Sequence, residues 1–153
     1  MVFEMSKVLI LTVGGSNNPI IYSINKIKHD FIYFIHSKNS LKNVHEIVDN
    51  LNIDKSSYIC KEIKGFESLE ESYLSSKEII EEAKNNFSKI HVNFTGGTKP
   101  MVVGLVLAAS KENLTLSYVG SNRNKDSRDK NGVGSVKEGF EELKIINWRY
   151  NDE

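Results

Sequence analysis

This sequence of 153 residues has a single cysteine, only two prolines and no excess charge of either sign. One cysteine cannot build a disulfide framework, which favours a cytoplasmic protein. The 20 basic and 20 acidic residues cancel, so the chain lacks the basic footprint of a protein that binds duplex DNA. No apolar run is long enough to cross a bilayer, and Met1–Ser6 lacks the features of a signal peptide. These absences predict a cytoplasmic protein without a membrane segment.

Common cofactor and metal motifs are missing as well. The chain contains neither the G-x-G-x-x-G fingerprint of NAD sites nor the G-x-x-x-x-G-K-[ST] pattern of P-loop NTPases. The four histidines show no metal-ligand spacing with Cys60 or with one another. A G-x-S-x-G nucleophile elbow is also lacking. The sequence therefore predicts neither a cofactor nor a bound metal.

Strand patterns alternate with helix patterns along the chain. The predicted strands are Lys7–Val13, Phe31–Ile35, Ser57–Ile63, Lys89–Phe94, Leu114–Val119 and a final edge strand at Lys144–Tyr150. The predicted helices start at an Asn18 N-cap, cover Leu41–Leu51, run from Ser68 to about Asn85, and cover Met101–Ala109. This order predicts a Rossmann-like α/β three-layer sandwich, with a mostly parallel sheet of about six strands and helices on both faces. The length predicts a single domain over residues 1–153.

The first strand-to-helix loop is rich in small residues. Gly14, Gly15, Ser16 and Asn17 follow the first strand directly. Glycines at such a turn let the backbone approach a ligand closely. Taken alone, this loop is equally consistent with a tight turn followed by a helix cap.

A second loop of this kind has a stronger pattern, Thr95-Gly96-Gly97-Thr98-Lys99. It precedes the apolar helix Met101–Ala109, whose first turn offers free N–H groups and a partial positive charge. Lys99 adds a full positive charge. The pattern therefore favours a phosphate-binding loop over a turn whose lysine is merely solvated. The apolar helix itself predicts either a core helix or burial against a second copy of the chain.

The two loops are expected to meet. In the doubly wound order the first and fourth strands are neighbours at the topological switch point, where ligands bind outside the carboxyl ends of the strands. One loop ends the first strand and the other ends the fourth. Ser37, which follows the second strand, joins the candidate ligand-binding residues at the same edge.

Three segments, Val13–Ile20, Asn93–Met101 and Tyr118–Arg123, together resemble the CRISPR-associated Rossmann-fold (CARF) domains. The resemblance covers nearly the whole chain. It implies a homodimeric sensor of a cyclic oligoadenylate, with cyclic tetra-adenylate as the expected ring, in type III CRISPR antiviral defence. The ring would lie across the two-fold axis of the dimer. Gly120-Ser121 stands where many members carry a glycine pair.

The resemblance also implies a set of ligand-binding residues and an effector. The implied effector is fused or associated and is absent from this chain, so the chain is either an excised sensor or a standalone CARF protein. The alternative function is a metal-independent ring nuclease, in which Lys99 and Thr98 stabilise the developing charge and Ser16 positions the attacking 2′-hydroxyl. An unrelated flavodoxin-like nucleotide-binding fold is a third hypothesis. The implied ligand-binding residues are Gly14, Gly15, Ser16, Asn17, Ser37, Thr95, Gly96, Gly97, Thr98, Lys99 and Arg123.

Overall fold

The computed structural model of the protein describes residues 6–121 and 139–146. The strands are β1 (Lys7–Thr12), β2 (Phe31–His36), β3 (Tyr58–Glu62), β4 (Lys89–Asn93), β5 (Thr115–Ser121) and β6 (Glu141–Ile145). The helices are α1 (Asn18–Lys26), α2 (Leu41–Leu51), α3 (Leu69–Asn86) and α4 (Lys99–Ala109). Two short 3-10 turns, Lys38–Ser40 and Lys55–Ser57, lie before α2 and β3.

The strands form one sheet in the order β3-β2-β1-β4-β5-β6. The first five strands are parallel, and β6 runs antiparallel to β5 at one edge. In the pairing of β1 with β4, Leu11 lies opposite Asn93, so the two strands end at nearly the same level. The predicted Rossmann-like topology and the predicted neighbours β1 and β4 are therefore confirmed.

The sheet separates two apolar cores because successive side chains of a strand point to opposite faces. In β1, Val8 and Ile10 belong to the core under α3 and α4, whereas Leu9 and Leu11 belong to the core under α1 and α2. All four side chains are fully buried. This pattern explains the continuous apolar run of β1 and confirms that helices cover both faces of the sheet.

The start of α1 differs from the prediction. The helix begins at Asn18, so Asn17 occupies the cap position and Asn18 is the first helical residue. The Asn17 side chain makes no capping hydrogen bond, because its carboxamide is engaged by α2 instead. The predicted Asn18 cap is therefore wrong, although Pro19 lies in the first turn as expected.

The last strand also differs from its prediction. β6 begins at Glu141, three residues before the predicted start, and Glu141 pairs with Ser121 of β5. The two glutamates at the start of β6 break the apolar alternation from which strands are predicted. The strand still forms there because an edge strand tolerates charged residues. Residues 147–150 of the predicted strand lie outside the described residues.

Helices α3 and α4 approach each other closely at Gly104. A Cβ atom there would lie 2.7 Å from the backbone nitrogen of Tyr73, so only glycine fits. The outer side of α4 remains open, with Val103 at 43% and Leu107 at 44% exposure. No helix in the two described ranges, 6–121 and 139–146, is both long and apolar enough to cross a membrane.

Candidate ligand-binding site

The two glycine loops contact each other through their backbones. A Cβ atom on Gly14 would lie 2.6 Å from the nitrogen of Gly97, and one on Gly96 would lie 2.8 Å from the carbonyl oxygen of Thr12. Such contacts are possible only without side chains. The predicted convergence of the two loops therefore occurs, and Gly14 and Gly96 must be glycine for one loop to pack on the other.

Gly97 and Gly15 have different reasons to be glycine. Gly97 adopts a φ of 105°, a backbone conformation that L side chains rarely take. Gly15 has no heavy atom within 4 Å of a Cβ position, and its φ needs no glycine. The space at the Cβ position of Gly15 is thus empty.

A buried polar network fixes the start of the second loop. Asn93 accepts hydrogen bonds from the backbone nitrogen of Thr95 at 3.2 Å and from its hydroxyl at 2.6 Å. The Thr95 hydroxyl in turn accepts from the nitrogen of Val119 at 2.8 Å. Asn93 also donates to the hydroxyl of Ser117 at 3.0 Å. Thr95 therefore joins the ends of β4 and β5.

The same network continues to His91 inside the sheet. Its Nε2 lies 2.6 Å from the Ser117 hydroxyl oxygen. Burial, aided by the charge of Lys7, lowers the pKa of His91 to about 4. The ring is therefore neutral at physiological pH. The Ser117 hydroxyl accepts from Asn93, and the direction of its hydrogen bond with His91 depends on which ring nitrogen carries the proton.

Thr98 fastens the second loop to a third one. As the N-cap of α4, its hydroxyl accepts a hydrogen bond from the nitrogen of Met101 at 3.3 Å. The same hydroxyl donates to the carbonyl oxygen of Phe66 at 2.6 Å. Phe66 belongs to the segment between β3 and α3, so Thr98 connects that segment to the glycine loops.

Ser37 is used in a similar local way. Its hydroxyl accepts from the nitrogen of Ser40 at 3.3 Å, while the Ser40 hydroxyl accepts from the nitrogen of Ser37 at 2.9 Å. This reciprocal pair is a capping box that opens the short turn before α2. It fixes the wall of the site at the end of β2.

Asn17 holds the first loop against α2. Its amide nitrogen donates to a carboxylate oxygen of Glu46 at 2.8 Å, and its carbonyl oxygen accepts from the amide of Asn43 at 2.9 Å. Asn43 is only 7% exposed, whereas Glu46 lies on the surface. Both polar atoms of the Asn17 side chain are therefore engaged within the protein.

These loops enclose a cleft of about 260 Å³ at the carboxyl ends of β1, β2 and β4. Five of the predicted residues line it: Gly14, Gly15, Ser37, Gly97 and Thr98. The other predicted residues within the described ranges, which lie beside the cleft and not on its wall, are Ser16, Asn17, Thr95, Gly96 and Lys99.

Six residues of the wall were not predicted from the sequence. They come from the end of β1, from the short turn before α2, from α2 itself, from the segment after β3 and from α4, and they are Val13, Asn39, Ser40, Asn43, Phe66 and Met101. One indirect signal for these residues was present in the sequence: β1, β2 and β3 end at the same edge of the sheet, so the segments that follow them lie there too. Arg123, also predicted to bind the ligand, lies outside the described residues.

Lys99 is the first residue of α4 and is exposed beside the cleft. Among the residues that the structure describes, it has no carboxylate partner. Its charge adds to the partial positive charge of the helix N-terminus, so this edge of the cleft favours an anion. Within residues 6–121 and 139–146, no group of three or more His, Cys, Asp or Glu side chains is placed to hold a metal ion.

The strand order and the loops at the carboxyl ends define a doubly wound Rossmann-type domain with its cleft at the switch point. Residues 16–139 match the Card1 CARF domain, and the chain belongs to this family of CRISPR-associated Rossmann-fold domains. The predicted family is thereby confirmed. No curated protein matches the sequence at a significant level.

Several solved structures share the fold of this chain. Can2 from Sulfobacillus thermosulfidooxidans, in complex with cyclic tetra-adenylate, has a TM-score of 0.62 and 16% identity, over 74% of this chain and 32% of its own. Enterococcus italicus Csm6, bound to cyclic hexa-2′-fluoro-hexa-dAMP, has a TM-score of 0.58 and 14% identity, over 77% and 35%. A type III CRISPR defence DNA nuclease activated by cyclic oligoadenylate has a TM-score of 0.60 and 17% identity, over 74% and 18%. The chain thus corresponds to about a third or less of each of these proteins.

Proposed function

We propose that this chain is a sensor domain that binds a cyclic oligoadenylate, with cyclic tetra-adenylate as the expected ring, in type III CRISPR antiviral defence. The observation that carries the proposal is the cleft formed by the interlocked glycine loops in a chain of the CARF family. Can2 and Csm6, which share the fold, are bound to a cyclic tetranucleotide and a cyclic hexanucleotide. The domain would act in the cytoplasm.

The charge of the site supports an anionic ligand of this kind. A cyclic oligoadenylate carries one negative charge per linkage, and the chain as a whole has no net charge. Attraction must therefore be local, and Lys99 at the N-terminus of α4 supplies it. The backbone nitrogens of Gly97 and Thr98 precede the helix and are suited to donate to a phosphate.

The symmetry of the proposed ring supports a homodimer. The cleft of about 260 Å³ is formed by one chain. Two such clefts related by a two-fold axis suit a symmetric ring. This is the relation that the family resemblance implies.

The outer face of α4 is a suitable dimer surface. Lys99, Val103 and Leu107 are all exposed and follow one another at intervals of four residues, so they lie on one side of the helix. Pairing of this face about a two-fold axis would bury the two apolar residues. It would also bring both Lys99 side chains to the same ring.

The site supports binding better than cleavage of the ring. The hydroxyl hydrogen of Thr98 is already donated to Phe66, so it is not available to stabilise charge on a phosphate. Thr98 then has a structural role. Of the two residues expected to stabilise charge in the transition state, only Lys99 is left to do so. A fused or associated effector would then carry the enzymatic response.

Calorimetry with cyclic tetra-adenylate and cyclic hexa-adenylate, without metal, tests the proposal. We expect saturable binding of one ring per two chains. The same mixtures, followed by chromatography for several hours, should return the intact ring. Failure of both rings to bind would refute the sensor function, whereas linear products would make the protein a ring nuclease.

A further inference from the structure

The orientation of the Asn43 side-chain amide is fixed by a relay that begins at Glu46. A carboxylate only accepts hydrogen bonds, so the amide nitrogen of Asn17 must face Glu46. The carbonyl oxygen of Asn17 then faces Asn43, which must present its own amide nitrogen. The usual ambiguity of an amide flip is thereby removed for both asparagines.

Asn43 keeps two hydrogen-bonding groups for a ligand. The contact with Asn17 uses one amide hydrogen, which leaves the second hydrogen and the carbonyl oxygen. The hydrogen bond to Asn17 is the one that the Asn43 side chain makes within the described part of the chain, and the Asn43 carbonyl oxygen is not among the fully buried unpaired oxygens there, which are those of Thr12 and Ser76. Asn43 is nine-tenths buried and lines the cleft, so it brings a donor and an acceptor to the wall.

This pair matches the edge of an adenine base. Adenine offers an amino donor beside a ring nitrogen acceptor, and asparagine binds that combination with two hydrogen bonds. Guanine and hypoxanthine carry an acceptor oxygen in place of the amino group, and that oxygen would oppose the Asn43 carbonyl. Val13, Phe66 and Met101 line the same cleft and offer apolar contact to the faces of a flat base.

We propose that Asn43 reads the edge of one adenine of the ring, and that Asn17 and Glu46 are positioning residues that fix its polarity. The inference rests on the proposed function and adds to it the residue that selects the base. Asn17, predicted to contact the ligand directly, acts here through Asn43.

A reversal of the relay tests the proposal. Glu46→Lys replaces the terminal acceptor with a donor, which turns the amide of Asn17 and then that of Asn43. The carbonyl oxygen of Asn43 is thereby withdrawn from the ligand. Asp49→Lys is the matched control, because it makes the same change of charge at another exposed position of α2. Asn43→Ala removes the reading group itself.

The measured quantity is the ratio of affinities for cyclic tetra-adenylate and cyclic tetra-inosinate, determined by calorimetry. We expect the unmodified protein and Asp49→Lys to prefer the adenylate ring by about tenfold or more. Glu46→Lys and Asn43→Ala should both reduce this preference to near unity. The ratio cancels any general gain in anion affinity from the added lysine.

The outcomes separate this inference from the proposed function. If the unmodified protein binds neither ring, both the sensor function and the inference are refuted. An adenylate preference that survives both Glu46→Lys and Asn43→Ala would refute only the role of Asn43. Because Asn43 is buried, thermal unfolding of Asn43→Ala is measured in parallel, and the exposed Glu46 variant keeps the test decisive if Asn43→Ala does not fold.

Discussion

Gly14 and Gly97 lie in backbone contact, although 82 residues separate them in the chain: a Cβ atom on Gly14 would lie only 2.6 Å from the Gly97 nitrogen. Neither loop can therefore shift without the other. The two loops behave as one structural unit even though each belongs to a different strand.

Gly14→Ala should destabilise the protein, since the added methyl group meets backbone atoms that cannot rotate away. Overpacking of this kind costs about 1–3 kcal/mol of unfolding free energy. Gly15→Ala is the matched control because its Cβ position is empty. Urea denaturation of both variants measures the effect, and equal stability of the two would contradict the observed contact.

Gly15→Ala should instead weaken ring binding. Gly15 lines the cleft and its backbone is open to an approaching ligand, so a methyl group would stand in the ligand's path. We expect a loss of affinity for cyclic tetra-adenylate with unchanged stability. Calorimetry on a variant shown to be folded makes the test, and full affinity would place the ligand away from this loop.

Lys99→Ala should weaken binding of the ring without unfolding the domain, because Lys99 is exposed. The loss of one charge-assisted contact costs roughly 1.5–3 kcal/mol, or about tenfold or more in affinity. The control is Lys89→Ala, which removes an exposed charge at the opposite end of β4. Similar losses in both variants would indicate general electrostatics and not a contact at the cleft.

Leu107→Glu should yield a monomer if α4 forms the proposed dimer surface. Leu107 is exposed on the outer side of that helix, and a buried carboxylate without a partner opposes association. Ile59→Glu, at a comparable exposure on the edge strand β3, should leave the dimer intact. Light scattering over a wide concentration range measures the mass of each variant. A monomer mass for the unmodified protein would refute the proposed dimer.

Stability should fall on mild acidification because of His91. Burial lowers its pKa from 6.5 to about 4, so between these values the unfolded chain binds a proton that the folded chain does not. The free energy of unfolding is therefore highest above pH 6.5, as far as His91 is concerned. It decreases as the pH falls from 6.5 towards 4, by up to about 3 kcal/mol. His91→Gln should flatten this part of the pH profile, whereas exposed His45→Gln should not. Equal slopes for both variants would exclude His91.

The sequence predicted the parts of this structure that depend on local patterns. Continuous apolar runs such as β1 and small polar residues after strands sufficed to predict the sheet, its order at the switch point and the two glycine loops. Asn43 and Phe66 escaped prediction because an asparagine within a helix and a phenylalanine in a connection carry no local signature. Their place in the cleft depends on how α2 and the segment after β3 pack against β1 and β4.

The hydroxyls of Thr95 and Thr98 each accept one hydrogen bond and donate another within the protein. An alanine scan of this loop would therefore record both threonines as hot spots even if neither touches the ligand, because truncation includes the reorganisation of the free protein. Serine retains the hydroxyl of threonine, whereas valine retains its shape. If a threonine only stabilises the loop through its hydroxyl, the serine variant keeps both stability and affinity, and the valine variant loses both. A serine variant that loses affinity at unchanged stability would place the threonine methyl group in contact with the ligand.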